Sequence, residues 1–273
     1  MFTNPGILLK EGNQRLFTKV IKSMRDQPTR KSTMSNLDRI RCSIAEVFEY
    51  QPTDSAIWTS LRSRNLTRLS RNFLWKCLHD IYCVGFFWEH MSNLENLGQC
   101  PTRKVPESPE HIMLECNAAG QHQIWQLTER FWRLRYPSWP KLNWGLLLGC
   151  GLARFTSSKG KIIPAMNRFF TIIVSTSMYL IWNLRNTRVL ETSTPASKIE
   201  IHNRWVSLMN SALRRDQLLT NRTKFGPLAF KKQLVFKTWS GTLLDKDSLP
   251  DDWIQSEGVL MGIRSNTRKN GVG

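Results

Sequence analysis

With 273 residues, 41% of them apolar, the chain can build one large core or two smaller ones, which excludes wholesale disorder. Its 39 basic residues against 21 acidic ones leave a net +18, which points to a polyanionic partner, most commonly nucleic acid, and is silent about fold. Six scattered cysteines exclude a disulfide scaffold. The start, MFTNPGILLKEGNQ, lacks a charged stretch followed by an apolar run of signal length, so a cytoplasmic or nuclear location is expected.

Residues 1–34 form a basic segment ending in a linker, QPTRKST (27–33), with Leu16, Val20, Ile21 and Met24 spaced as one apolar helical stripe. In SNLDRIRCSIAEVFEY (35–50), Ser35 and Asp38 give a capped helix start, and Leu37, Ile40, Ile44, Val47 and Phe48 follow a helical period. Pro52 breaks that run, and Thr53 or Asp54 can cap the next helix. LTRLSRNFLWKCLHDIYCVG then places Leu66, Leu69, Phe73, Leu74, Cys77 and Ile81 on one face, with Gly85 as the stop. FFWEHM (86–91) can add a short helix, and residues 93–110 are the least helical stretch of the first half. The period resumes at Ile124, Trp125, Leu127, Phe131, Trp132 and Leu134.

Residues 35–150 therefore read as one helical region and 156–240 as a second, which holds the longest predicted helix, 164–191. Pro164 suits that helix's first turn, and Phe169, Ile173, Met178, Ile181 and Trp182 are expected to be buried along it. The largely apolar run of 14 residues from Phe169 to Trp182 falls short of the roughly 20 a membrane helix needs, so no membrane partner is expected. Ile201, Trp205, Leu208, Met209 and Leu213 mark another helix, within a stretch from Lys198 to Lys237 carrying nine basic and two acidic residues. Residues 241–273 read as an acidic turn, DKDSLPDD, and a frayed tail. No alternating strand pattern of useful length occurs, so the expected fold class is all-α, an irregular helical protein of roughly eight to eleven helices.

Chemistry concentrates in one segment, Cys100-Pro-Thr-Arg103, seven residues, then His111-Ile-Met-Leu-Glu-Cys116. A loop cysteine followed by His and Cys on a short helix is a zinc-like spacing, because thiolate and imidazole suit this borderline-soft ion. Three ligands are present, and the fourth position carries Arg103, which cannot coordinate. Cys83, His90 or His122 could complete the set, with nothing in the spacing to favour one. On a regular α-helix His111 and Cys116 stand about 140° apart, so they converge only if the helix ends near Cys116. Zinc is the one cofactor the sequence suggests, and loss of a thiolate predicts weak or absent binding with the three side chains still together. Arg103 is expected to point away from them.

No catalytic residues are identified and no small-molecule substrate is evident. The chain has no Tyr-x-Asp-Asp pair, and its one Asp-Asp, Asp251-Asp252, follows Pro250 in a turn. His79 reads as a packed histidine, and His202 has no nucleophile at a recognisable spacing.

The segment resembles the zinc-binding domain that follows the reverse transcriptase of LINE-like, non-LTR retrotransposons, whose pattern is C-x2-C-x7-H-x4-C. Cys100, His111 and Cys116 match it, with Arg103 in the second cysteine's place. RNFLWKCLHDIYCVGFFWEH (71–90) looks like the W/F-rich helical segment that precedes this finger. The stretches QPTDSAIWTSLRSRNLTRLSRNFLWK, LGCGLA, EIHNRW and TWSGTLLDKDSLPDDW resemble the region downstream of a ribonuclease H domain in retroelement-derived proteins of mushroom-forming fungi. The resemblance covers roughly residues 10–264. It implies a retroelement-derived, non-catalytic protein that binds nucleic acid, RNA or DNA, through a basic helical surface and a degenerate finger. Two alternatives stand beside it: a domesticated or inert helical protein acting through protein contacts, and an accessory segment of a ribonuclease H and reverse transcriptase polyprotein.

Overall fold

The computed structural model describes residues 13–24, 30–191, 195–245 and 247–264. Residues 1–12 and 25–29 of the basic N-terminal segment, the side chain of Met24 and the end of the tail lie outside these residues. The described residues form α1 (Gln14–Met24), α2 (Lys31–Phe48), α3 (Asp54–Ser60), α4 (Arg68–His79), α5 (Phe86–Glu89), α6 (Gln121–Arg133), α7 (Trp144–Leu148), α8 (Pro164–Asn186), α9 (Lys198–Leu219), α10 (Arg222–Phe225) and α11 (Lys232–Trp239). Short 3-10 and π turns join them, and among the described residues extended pairing is limited to three isolated bridges. The all-α expectation holds.

Side chains set several helix starts. Thr53, Thr67, Asn143, Ser197 and Asn221 each accept the N–H three residues on, which satisfies a donor the helix cannot. At α8, Pro164 occupies the first turn, where no N–H is needed.

The core is built around α8. Sixteen of its 23 residues are buried, so it is covered on all sides, as expected of a helix apolar all round. Phe169, Ile173, Met178, Ile181 and Trp182 are all among them. Helices α4, α6, α7, α9 and α11 pack against it, while α2 packs on α4 and α7. Arg168 and Arg185, which bracket the apolar run, are buried as well. Arg168 pairs with Asp216 of α9 at 2.6 Å, and Arg185 pairs with Glu107 through Nε at 3.0 Å and a shorter second contact.

Tryptophan supplies much of the core, and five of the buried indoles donate their N–H to an acceptor. Trp205 donates to Ser177, Trp239 to Asp216, Trp132 to the Ser138 carbonyl, Trp144 to Asn36 and Trp125 to the Met113 carbonyl. The buried apolar residues from Leu37 to Ile263 form one contiguous cluster, and Cys100, Cys116 and Ala118 form a small separate one.

Some local expectations are corrected. α2 begins at Lys31, not after Ser35, because Ser32 and Thr33 are engaged by His79 of α4: Ser32 donates to its carbonyl and Thr33 Oγ1 meets its Nδ1. α4 stops at Asp80, which takes the left-handed conformation at φ 50°. Gly85 serves instead to let two loops touch, since a Cβ there would lie 2.2 Å from the Glu107 carbonyl oxygen. Leu69 and Leu134, placed by periodicity on buried faces, are exposed, and so are Val20 and Ile21 of α1. No helix among the described residues is long and apolar enough to cross a membrane.

Candidate metal centre

Cys100 opens a tight reversal. Its N–H donates to the Val105 carbonyl at 2.8 Å, its own carbonyl accepts from Lys104 at 2.8 Å, and Lys104 sits at φ 56°. Gln99 and Pro106 bridge across the base.

His111 and Cys116 meet by a route the α-helical spacing does not provide. Residues His111–Glu115 form a π turn, and Cys116 N–H donates to the His111 carbonyl, five residues back, at 2.8 Å. Closing the ring at i→i+5 sets Cys116 near His111, and the chain then leaves in an extended conformation. The expected ending near Cys116 holds, but the expected short helix is this π turn. Ser108 Oγ accepts the His111 N–H, and Trp125 and Gln121 of α6 both donate to the Met113 carbonyl, fixing the turn to the core. The Arg185–Glu107 pair anchors the preceding strand of chain to α8.

These constraints bring Cys100, His111 and Cys116 together, all buried, with ligand atoms within 4.8 Å of one another. The two sulfurs are 3.5 Å apart. His111 Nδ1 faces Glu115 Oε2 at 3.3 Å, and Nε2 is buried without a hydrogen-bond partner. A carboxylate behind one ring nitrogen, leaving the other free, is the usual support of a metal-ligating histidine. Glu115 is a functional candidate that the ligand spacing alone did not single out, although its i+4 position from His111 could have done so.

The sulfurs are not equivalent. Burial pushes the Cys100 thiol up, but the His111 side chain and the Arg103 and Thr102 N–H groups outweigh this and hold it below its ordinary range. Burial raises Cys116, and the neighbouring Cys100 adds to it, against the opposing pull of the Ala118 N–H and Arg188. The pair therefore gives up its first proton readily and resists the second.

Arg103 is exposed, and its guanidinium donates to the Glu115 carbonyl at 2.8 Å. It ties the Cys100 loop to the end of the π turn from outside the buried trio. Cys83, His90 and His122 do not join the site: all three are exposed, and the group among the described residues consists of three members. Two sulfurs and an orphaned imidazole nitrogen fit a metal ion such as Zn²⁺, with three protein ligands and one coordination position left to another donor. Comparison of the chain with family models, with curated proteins and with solved structures finds no match.

Proposed function

We propose that this chain is a retroelement-derived, non-catalytic protein that binds nucleic acid, with the Cys100–Cys116 segment as its degenerate zinc finger. The observation carrying the reading is the convergence of Cys100, His111 and Cys116 in a buried corner, with His111 Nε2 left unpartnered. It is the three-quarters set that the C-x2-C-x7-H-x4-C pattern leaves once Arg103 replaces a thiolate. The reversal at Cys100 is read as the finger's knuckle. The net +18 supplies the electrostatic attraction for phosphate.

Zinc, where bound, is held weakly by this set, because a thiolate is missing from it. Titrating labelled RNA and DNA with the purified chain at rising salt tests the reading. Affinity is expected to fall steeply and linearly on logarithmic axes as counterions are released, and a flat response or no binding sinks it. Phe86 and Phe87, both exposed on α5, favour the second reading, a helical protein acting through protein contacts. That reading is preferred if neither nucleic acid binds and substituting both phenylalanines abolishes association with a partner.

A further inference from the structure

The outer face of α4 carries a constellation the finger does not use. Arg68, Arg71, Asn72 and Trp75 fall at i, i+3, i+4 and i+7, so they share one stripe, opposite the buried Ser70, Phe73, Leu74 and Cys77. With Trp58 and Arg62 from α3 and its end, they line a groove of about 350 Å³ that no carboxylate lines. Trp75 is the one tryptophan classed as exposed among the described residues, at 45%. Its ring packs on His79 at 4.4 Å, and His79 in turn stacks on Trp58 at 5.4 Å, so the exposed indole is held in place.

The arginines are unusual in their company. Arg39, Arg41, Arg133 and Arg204, on other surfaces, each pair with a carboxylate. Arg62, Arg68 and Arg71 make no such pair among the described residues, and Arg71 Nε is buried without a partner. A fixed aromatic face beside three uncompensated guanidinium groups suits a flat ring flanked by anions.

We propose that this groove holds an unpaired base of a single-stranded polynucleotide, stacked on Trp75, with its neighbouring phosphates on Arg62 and Arg68. The assignment rests on the nucleic-acid reading above and adds to it the strandedness of the ligand and the place of contact. Stacking of this kind is tolerant of sequence, because every base offers a π face, and a duplex offers none along its length.

The test compares labelled oligo-dT, oligo-U and a DNA duplex, each about 15 nucleotides long, binding to the full chain by anisotropy. Trp75→Ala is expected to weaken both single strands roughly tenfold and leave the duplex unchanged, and Trp75→Phe to restore most of the loss. Arg62→Ala with Arg68→Ala should lower the salt dependence for single strands by roughly 1.4 in slope. The two oligonucleotides separate DNA from RNA as the source of the base. Should Trp75→Ala not fold, the exposed Arg62→Glu and Arg68→Glu pair decides the matter by the same loss confined to single strands. If the unmodified chain binds nucleic acid and these variants bind single strands as well as it does, the groove assignment falls and the nucleic-acid reading stands. If the unmodified chain binds none of the three, both fall. Displacement of the single strands by polyglutamate at matched charge, with Trp75→Ala making no difference, also overturns the groove.

Discussion

The interior around α8 and the corner around Cys100 are both buried, yet they are held by different physics. α8 is surrounded by large apolar side chains, and Trp205 and Trp239 meet their acceptors inside the same packed layer. The corner has three apolar-like members, Cys100, Cys116 and Ala118, and is kept shut by a π turn, two donors on one carbonyl and an outside arginine. The first region draws its stability from contact area, so many residues share the load. The second depends on a few directional contacts and leaves His111 Nε2 unsatisfied. Arg168 Nη2 in the interior is also buried without a partner, but a guanidinium cannot coordinate; the corner is marked as the place for a ligand because its orphaned imidazole nitrogen stands beside two sulfurs.

This contrast can be broken first in the interior. Asp216 accepts from Arg168 and from Trp239, and all three are buried. Asp216→Ala strands the guanidinium and should cost about 3–5 kcal/mol by urea denaturation. A loss under about 1 kcal/mol would mean that Arg168 is rehydrated and that the region is not sealed. Gly145 of α7 comes next, because a Cβ there would lie 2.1 Å from the Arg39 carbonyl oxygen of α2. Gly145→Ala should destabilise by about 1–3 kcal/mol as the two helices are forced apart, and an unchanged denaturation midpoint would refute that close approach.

At the corner the stability effects are smaller and the chemical ones larger. Arg103→Ala removes the bond to the Glu115 carbonyl and should cost about 1 kcal/mol. Arg103→Cys loses the same bond but supplies the fourth ligand, so zinc affinity measured against a chelator should rise at least tenfold, on the order of 1.4 kcal/mol. Equal affinity in the two proteins would show that the trio does not act as a metal centre. The smallest effect concerns His79. Burial first, and then Arg30, lowers its pKa, so the unfolded chain takes up a proton before the folded one. That contribution to stability is present above the ordinary histidine value of about 6.5 and is lost as pH falls below it. The melting temperature should drop more steeply in that range for the unmodified chain than for His79→Asn, and parallel curves would remove His79 from the account.

The interior was legible in the sequence because apolar periodicity and length report burial directly. The run from Phe169 to Trp182 reads as a covered helix because it is too short to span a membrane, and Trp205, Met209 and Leu213 follow the helical period on α9. Periodicity misplaced Leu69 because it records which residues could be inside and not which face the rest of the chain covers; α4 turns that side outward along with Arg68 and Trp75. At the corner, spacing named the three ligands but could not supply the fold between them. A π turn is invisible to a 3.6-residue template, and the Glu115 carbonyl that Arg103 engages is a backbone atom with no residue-type signature.

The bond from Arg103 to that carbonyl also changes when the corner can form. In a four-ligand finger, closure waits for an ion to arrive from solution, so it depends on the concentration of free metal and on competition from every chelator present. Here one closing link is part of the chain, and its effective concentration is set by the short loop from Cys100 to Glu115, whatever the surroundings contain. Part of this corner's assembly thus draws on a contact that metal supply does not govern, and that contact keeps the Cys100 loop beside the end of the π turn.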